Sequence, residues 1–379
     1  MEIRGFLDNH MPCLNFDDIL IEPRISDVFP EETDISTTMI AGLKSNLPIM
    51  SAHMPTVSSP ELITAISEMG GLGTIHNEMA MEEIDPFISK VKNFKMDQEK
   101  YPHATATGSG TPYVIIACSS FDTKRAEYLL QRDDIQYVIL NNVQPLHIQS
   151  IENVTKLSKK YPFKIILGNI ANREGAEIFT QLPLAAVKVG LGPGSICTTG
   201  IISGCGMSQL TSIIEVSKVA KAHHMKVIAD GGIRNSGDIV KALAAGADGV
   251  MLGKLFAGCD EAPGKTFKID GKMYKQYEGA RYNSVEVPDI TGIDDIDRFL
   301  TSERKMKHRV EGVSGLVPCI GPTHLLLYIL GKSIQLALGF TGARNLKEFQ
   351  ERAIFRYVST HTHRELESNI AFATSESFI

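Results

Sequence analysis

Tryptophan is absent from this sequence, and aromatic residues make up only 7% of its 379 residues. An excess of basic charge is absent as well, since 38 Lys and Arg face 44 Asp and Glu, for a formal net charge of −6. A protein that holds DNA or RNA by bulk electrostatics carries the opposite sign, so we expect no nucleic-acid partner. A small anionic ligand stays compatible with this charge, because a local loop can bind it.

Cysteine is sparse and scattered. The six cysteines, at positions 13, 118, 197, 205, 259 and 319, form neither a C-x-x-C pair nor a zinc-ligand spacing. This usage suits a reducing compartment, and residues 1–15 lack the apolar core of a signal peptide, so we expect a cytoplasmic protein. The most apolar late segment, residues 325–340, is interrupted by Lys332 and Gln335. It therefore predicts a packed helix and no membrane association.

Short apolar runs alternate with segments of helical spacing along most of the chain. The predicted strands are residues 48–51, 71–75, 113–117, 137–140, 164–167, 185–189, 226–229 and 249–252. The predicted helices are residues 60–69, 81–91, 123–132, 173–180, 209–223, 236–245 and 325–338. Ser59 is predicted to cap the first of these helices. Eight strands with crossover helices predict an α/β protein with a single-domain (β/α)8 TIM barrel over residues 1–379. An open doubly wound sheet is the alternative, weakened because no G-x-G-x-x-G follows the first strand.

Two segments break the alternation. Residues 92–111 are polar and show little periodicity, which predicts a short surface linker. Residues 260–311 begin with another polar, weakly periodic stretch after the last strand. Long irregular segments inside a compact domain are usually functional or disordered, and we interpret this one as a flap or insertion within the barrel.

A glycine-dense loop with a cysteine, residues 190–199 (GLGPGSICTT), follows the predicted strand 185–189. Three glycines and a proline in five residues forbid regular structure, and barrels build their sites in the loops after strands. A lone cysteine is most often a small buried hydrophobe. Because Cys197 lies in such a loop and not on a periodic apolar face, we predict that it is a nucleophile.

Two further loops predict a phosphate site. Residues 230–238 (DGGIRNSGD) follow one strand, and Gly253 and Lys254 follow the next. Glycines let backbone N–H groups approach an anion, Ser236 can cap the helix, and Lys254 adds a point charge. The alternative is a tight turn beside a solvated lysine. Isolated histidines such as His53 are interpreted as structural or surface residues and not as metal ligands.

These motifs together resemble the IMP dehydrogenase/GMP reductase family. The resemblance is carried by residues 190–199 and 230–238, by 311–315 (EGVSG), and by 14–20 (LNFDDIL) with 48–57. It implies a (β/α)8 barrel that assembles as a homotetramer and binds a purine nucleoside monophosphate. Paired CBS domains are inserted after the second helix in the longer family member, and residues 92–111 leave no room for them here.

The resemblance also implies roles for individual residues. Cys197 would attack C2 of the purine, with Thr199 beside the base, Glu311 at the N1 edge and Arg298 as the base toward water. Substrate contacts would come from Ser51, Met54, Ser195, Asp230, Gly232, Gly253, Lys254, Tyr277, Gly279 and Arg281. Cofactor contacts would come from Asn141, Asn142, Gly168, Asn169, Gly204 and Gly206. A K⁺ site would use Gly192, Gly194 and Cys197, with Ser359, Thr360 and His361 from a neighbouring subunit.

The family contains two reactions, and the sequence has features of both. Arg298, at a matching distance before Glu311, favours NAD-dependent oxidation of IMP to XMP with hydrolysis of a covalent intermediate. Residues 205–210 (CGMSQL) and 270–275 (DGKMYK) are about as typical of the reductase, which converts GMP to IMP with NADPH. A nucleotide-binding homologue with altered catalysis is the third hypothesis.

Four positions depart from the family pattern. Asn141 stands where the family has an Asp that contacts the nicotinamide ribose, and a neutral amide supplies no charge there. Arg281 adds a bulky cation beside the base, Pro55 replaces an Asp, and Phe299 removes a flap hydroxyl. These changes affect the base and cofactor pockets, whereas the cysteine and phosphate loops keep the family pattern.

Overall fold

The computed structural model describes residues 13–142, 146–279 and 313–359. Seven parallel strands form one curled sheet in which spatial neighbours are also sequence neighbours, except at the seam between its first and last strands. In chain order these strands are Ile49–Ser51, Ile115–Ser119, Tyr137–Asn141, Ile165–Ile170, Ala186–Val189, Val227–Asp230 and Gly249–Leu252. Residues 72–75 supply the second of the eight barrel positions, between the first and the third.

Residues 72–75 close the barrel. Leu72 forms a parallel bridge with Met50, and Ile75 forms one with Ile116. The Ile75 N–H donates to the Ile115 carbonyl at 2.8 Å, and the Ser51 N–H donates to the Leu72 carbonyl at 3.0 Å. Because both edges of the seven-stranded sheet pair with this segment, the predicted (β/α)8 barrel is confirmed and the open doubly wound sheet is wrong.

Helices connect the strands and cover the outside of the barrel. They are Pro60–Glu68, Met81–Asn93, Thr123–Leu130, Ile148–Lys160, Arg173–Phe179, Thr199–Ser203, Gln209–Ala222, Ser236–Ala244, Lys254–Ala257, Thr323–Thr341 and Leu346–Arg352, with 3-10 turns at Phe16–Asp18 and Pro30–Glu32. One apolar core fills the space between strands and helices. A second fills the barrel interior, where Met39, Met50 and Met251 pack together.

The amino-terminal end of the barrel is closed by a hairpin. Its strands are Thr37–Ile40 and Leu43–Ser45, and the Ala41 N–H donates to the Ala185 carbonyl at 2.8 Å. Met39, Ile40 and Leu43 are buried in the barrel interior. The opposite end, where the carboxyl ends of the strands open into loops, is therefore the end available to a ligand.

One helix cap agrees with the prediction from local sequence, and another differs from it. The Ser59 side chain accepts the Leu62 N–H and caps the helix Pro60–Glu68, as predicted. The cap of Ser236–Ala244 is Asn235 and not Ser236, because the Asn235 side chain accepts the Asp238 N–H. Asn and Ser cap about equally well, so local preference did not separate these neighbours.

The segment after residue 260 is more regular than its composition predicts. Strands Thr266–Ile269, Lys272–Glu278 and Ser314–Pro318 form an antiparallel sheet. Asp270 and Gly271 have φ of 48° and 81°, which a tight hairpin turn requires. Residues 280–311 of the predicted flap lie outside the described residues. Small strands Ile19–Ile21 and Phe355–Tyr357 pair with each other elsewhere.

In the predicted linker, no residue of 94–111 belongs to a helix or strand. The segment is held against the barrel by backbone hydrogen bonds, including that of the Thr105 N–H with the Ser67 carbonyl at 2.8 Å.

The helix Thr323–Thr341 is long and apolar enough to cross a membrane by length and composition. Leu326, Leu330 and Ile334 are nonetheless fully or almost fully buried in the core between helices and barrel. This is the packing predicted for residues 325–338, and core helices of globular proteins meet the same length and composition test.

Candidate active site

A cavity of about 340 Å³ opens at the carboxyl ends of the barrel strands. Its volume lies within the usual range of small-molecule sites. The cavity brings together many residues that the sequence placed far apart. Of the predicted site residues, it is lined by Met54, Asn141, Asn169, Gly192, Gly194, Ser195, Cys197, Asp230, Gly232, Gly253, Lys254, Tyr277 and Gly279.

The cysteine loop and the paired-glycine loop pack directly on each other. A Cβ at Gly231 would lie 3.3 Å from the Gly194 nitrogen, and one at Gly232 would lie 3.0 Å from the Pro193 Cβ. Both glycines have positive φ, of 90° and 76°. Only residues without side chains allow these two loops to approach so closely.

Cys197 is the accessible thiol of the cavity. It is half-buried, and its Sγ lies 3.2 Å from the Oγ1 of Thr199, the first residue of a short helix. Burial raises the pKa of the Cys118 thiol to about 12 and does the same for Cys259, so these two are held as inert thiols. Because a nucleophile must reach its substrate, Cys197, which lines the cavity, fits this role better than the two buried thiols.

A buried lysine contacts several polar residues of the cavity wall. Lys188 lies on the strand Ala186–Val189, and its side chain is completely buried. Its Nζ lies 2.9 Å from Asp230 Oδ2, 2.9 Å from His53 Nε2 and 3.3 Å from Asn141 Oδ1. Gly168 is needed beside it, since a Cβ there would meet the Lys188 Cβ at 2.5 Å.

The wall's ionisation states follow from these contacts. Burial lowers the pKa of His53 to about 3, and the adjacent Lys188 ammonium acts in the same direction, so His53 is neutral at physiological pH. Burial opposes the ionised form of Asp230, but the Lys188 ammonium, aided by the hydrogen bond from the Asn169 amide, lowers its pKa below the usual value. Asp230 is therefore a carboxylate next to the cavity.

Asp230 is also oriented by Asn169. The Asn169 Nδ2 donates to Asp230 Oδ2 at 2.9 Å and to the Gly190 carbonyl at 2.8 Å. Lys188 and Asn169 thus occupy the same carboxylate oxygen. Among the described residues, no hydrogen bond reaches the other oxygen, Oδ1.

Tyr277 is positioned at another side of the cavity by the strand Lys272–Glu278. The strand is anchored by the neighbouring Lys275, whose ammonium is buried and donates to the carbonyls of Cys259, Asp260 and Ala262 at 2.6–2.8 Å. Burial raises the pKa of Tyr277 to about 12, with a smaller opposite contribution from its hydrogen bond with Ser195. The Tyr277 hydroxyl therefore stays protonated and can donate a hydrogen bond to an anion.

If this hydroxyl binds the 5′-phosphate, Tyr277→Phe should raise the dissociation constant of a purine monophosphate about tenfold, since a hydrogen bond to a charged group contributes about 1.5–3 kcal/mol. Isothermal titration calorimetry with IMP measures this change. Tyr274→Phe, on the same strand but outside the cavity wall, is the matched control and should leave the affinity unchanged. Equal affinities of the two variants would remove Tyr277 from the phosphate site.

Several predicted site residues lie outside the cavity wall. Ser51 is fully buried, its hydroxyl accepts the Thr74 N–H at 2.9 Å, and it does not line the cavity. The Asn142 N–H donates to the Gly168 carbonyl at 3.1 Å. Gly204 and Gly206 belong to the exposed loop after the short helix that Thr199 begins.

Other predicted site residues fall where the structure gives no description. These are Arg281, Arg298, Glu311, Thr360 and His361, which lie outside the described residues, as does Phe299. Ser359 is described but is not part of the cavity wall. Within the described ranges, no group of three or more His, Cys, Asp or Glu side chains could hold a metal ion.

Lys188 and His53 were not recognised as site residues from the sequence. Lys188 sits in an apolar run that predicts a buried strand, and His53 was interpreted as a structural or surface residue. One signal was present: a lysine inside a buried strand must find acceptors, because an unpaired buried ammonium is very costly. The sequence did not identify which acceptors these are.

The comparisons with known proteins agree on one family. A model of the IMP dehydrogenase / GMP reductase domain matches residues 13–369. Inosine-5′-monophosphate dehydrogenase of Methanocaldococcus jannaschii is 32% identical over 96% of this chain and 96% of its own length. The enzymes of the same name from Borreliella burgdorferi and Cryptosporidium parvum are 31% and 30% identical, over 95% and 93% of this chain and 98% and 94% of their own lengths.

Proposed function

Because the chain belongs to the IMP dehydrogenase/GMP reductase family, we propose that it catalyses the NAD-dependent oxidation of IMP, or of a closely related purine 5′-monophosphate, at C2. One observation carries this proposal beyond the family name. The half-buried thiol of Cys197 lines the same cavity as Tyr277 and the packed glycine loops, which suit a nucleotide's anionic end.

In this proposal the nucleotide is held by groups of opposite character. The 5′-phosphate binds the backbone of Gly232 and Gly253, with Ser195, Tyr277 and Lys254 around it. The ribose hydroxyls donate to Asp230, whose lowered pKa keeps it an acceptor and whose Oδ1 is directed away from Lys188 and Asn169. The base then extends toward Cys197, Met54 and Gly279.

The chemistry we propose for Cys197 is covalent catalysis. The thiolate forms an S–C2 bond with the purine, and C2 loses its hydrogen together with an electron pair. Water then replaces sulfur at C2, which regenerates the thiol and gives XMP and one released proton. The family resemblance assigns Thr199 to the base, Glu311 to its N1 edge and Arg298 to activation of that water. Glu311 and Arg298 lie outside the described residues.

The residues beside Cys197 fit a nicotinamide dinucleotide. Bound NAD would supply the acceptor for the hydride. Asn141 and Asn169 line the cavity and offer amide groups, and Gly204 and Gly206 belong to the exposed loop after the helix Thr199–Ser203. We include K⁺ at the carbonyls of Gly192, Gly194 and Cys197, a homotetrameric assembly and a cytoplasmic location in the same proposal, on the family resemblance.

A direct assay tests this function against its alternatives. We expect IMP with NAD to generate the absorbance of reduced nicotinamide, and K⁺ to increase the rate over Na⁺. GMP with NADPH is the second arm. Loss of absorbance there, without a signal from IMP, would assign the reductase reaction to this chain. If absorbance changes in neither arm while calorimetry still shows IMP binding, the result would favour the nucleotide-binding homologue.

A further inference from the structure

Lys188 is the most deeply buried charged group near the cavity. Its side chain is 0% exposed, and it does not itself line the cavity. An ammonium has three N–H donors, and three acceptors surround this one, in His53, Asn141 and Asp230. His53 follows the first barrel strand, Asn141 and Asp230 are the last residues of the fourth and seventh, and all three line the cavity. The buried Lys188 ammonium therefore contacts three residues of the cavity wall that come from three different barrel strands or the loops after them.

The contacts determine which atom each side chain turns away from Lys188. An ammonium can only donate, so His53 Nε2 must be an unprotonated acceptor and the imidazole proton must sit on Nδ1. For the same reason the oxygen of Asn141 faces Lys188, and its Nδ2 amide points away from the lysine. Asp230 receives Lys188 on Oδ2, which leaves Oδ1 for a ligand.

We propose that Lys188 is a positioning residue of the active site, which sets the hydrogen-bond polarity of the cavity wall by orienting His53, Asn141 and Asp230. The wall then presents a donor at Asn141 and an acceptor at Asp230, and the Asp230 carboxylate is balanced by the Lys188 ammonium. The ligands that match are a ribose hydroxyl as donor to Asp230 and a hydroxyl or carbonyl oxygen as acceptor from Asn141. This inference rests on the proposed function for the identity of the ligands only.

The arrangement has a consequence for pH. In the unaltered protein the charged or titratable groups that face His53 are Lys188, Asp230 and His76. His53 Nε2 and Asp230 Oδ2 are at most 5.8 Å apart, because each lies 2.9 Å from the Lys188 Nζ. Without Lys188, His53 is the group among the described residues that can become a counterion for the Asp230 carboxylate. The pKa of His53 then rises, and protonated His53 replaces the ammonium only at low pH.

The first experiment reads the orientation of His53 in the unaltered protein without any ligand. Selective ¹⁵N labelling of histidine, with His53→Gln for assignment, distinguishes protonated from unprotonated ring nitrogens. We expect a neutral His53 with its proton on Nδ1, at every pH between 5 and 9. A proton on Nε2, or titration in this range, would overturn the proposal, because Lys188 could not then donate to this ring.

The second experiment measures IMP binding by calorimetry between pH 6 and 9. For Lys188→Met we expect at least about a tenfold loss of affinity at pH 8, since removing one member of a buried charged set leaves the others unpaired. The loss should shrink as the pH falls and His53 takes up a proton. Lys226→Met is the matched control, because Lys226 pairs with Asp248 at 2.9 Å outside this cavity.

The outcomes separate this inference from the proposed function. Identical binding and pH profiles for Lys188→Met and Lys226→Met would show that Lys188 does not position the wall. Should Lys188→Met fail to fold, the histidine spectrum of the unaltered protein decides the question. If the unaltered protein binds no IMP, the proposed function fails, and the same spectrum still tests the orientation of His53.

Discussion

Cys197→Ala is expected to abolish turnover of IMP, with a loss of at least about 10³-fold, while IMP still binds. The thiol is the proposed nucleophile, and alanine cannot form the S–C2 bond. Binding should persist within about threefold because the phosphate and ribose contacts come from other loops, around Gly232, Tyr277 and Asp230. Rates are followed through reduced nicotinamide, and binding through calorimetry on the same preparation.

Cys319→Ala is the matched control for this experiment. Cys319 is also half-buried, but it does not line the cavity, so its removal should leave the rate within about twofold of the original.

A trapped intermediate gives an independent test. Mass spectrometry of the quenched reaction should find purine nucleotide on the peptide that contains Cys197 and on no other cysteine peptide. Substantial turnover by Cys197→Ala would exclude covalent catalysis by this thiol.

Gly190→Ala is expected to have the largest effect on stability. Gly190 has φ of 141°, and a Cβ there would lie 2.1 Å from the Asp230 carbonyl oxygen and 2.7 Å from Gln209 Oε1. The carbonyl belongs to a barrel strand and cannot move without breaking the adjoining pairs. Backbone strain and overpacking together should lower the free energy of unfolding by about 3–6 kcal/mol. Urea unfolding followed by circular dichroism measures this loss.

A second glycine separates the two contributions. Gly110 also has a positive φ, of 73°, but a Cβ there would meet nothing within 4 Å. Gly110→Ala should therefore cost only the backbone strain, about 1–2 kcal/mol. If the two variants unfold at the same urea concentration, the close approach of the cysteine loop to the strand Val227–Asp230 is not what makes glycine necessary at position 190.

Elements that depend on neighbours in sequence were predicted well. The eight strand positions, the Ser59 cap and the glycine-rich character of the site loops rest on local periodicity and on backbone restrictions, which a short stretch of chain contains. The hairpin Thr266–Glu278 was missed, although residues 266–269 alternate polar and apolar side chains, because its strands are short and mostly exposed. Its Asp270-Gly271 turn was the available signal.

Contacts between distant residues were not predictable in the same way. The resemblance places Ser51 at the substrate, and this stays a prediction, but no local pattern indicates that its buried hydroxyl accepts the Thr74 N–H. Lys188 lies in an apolar run that predicts a buried strand, yet its ammonium contacts His53, Asn141 and Asp230. Those partners lie 135, 47 and 42 positions away along the chain.

By itself, the sequence determined that this chain forms a (β/α)8 barrel and carries a cysteine in a glycine-rich loop after a strand, because hydrophobic period and glycine content act over a few residues. Only the tertiary structure decided which polar groups share the buried ammonium of Lys188, and which atoms they present to the cavity. Barrel closure brings the ends of separate strands together, and the three N–H donors of one lysine then select their acceptors by distance and direction. No local pattern contains that information.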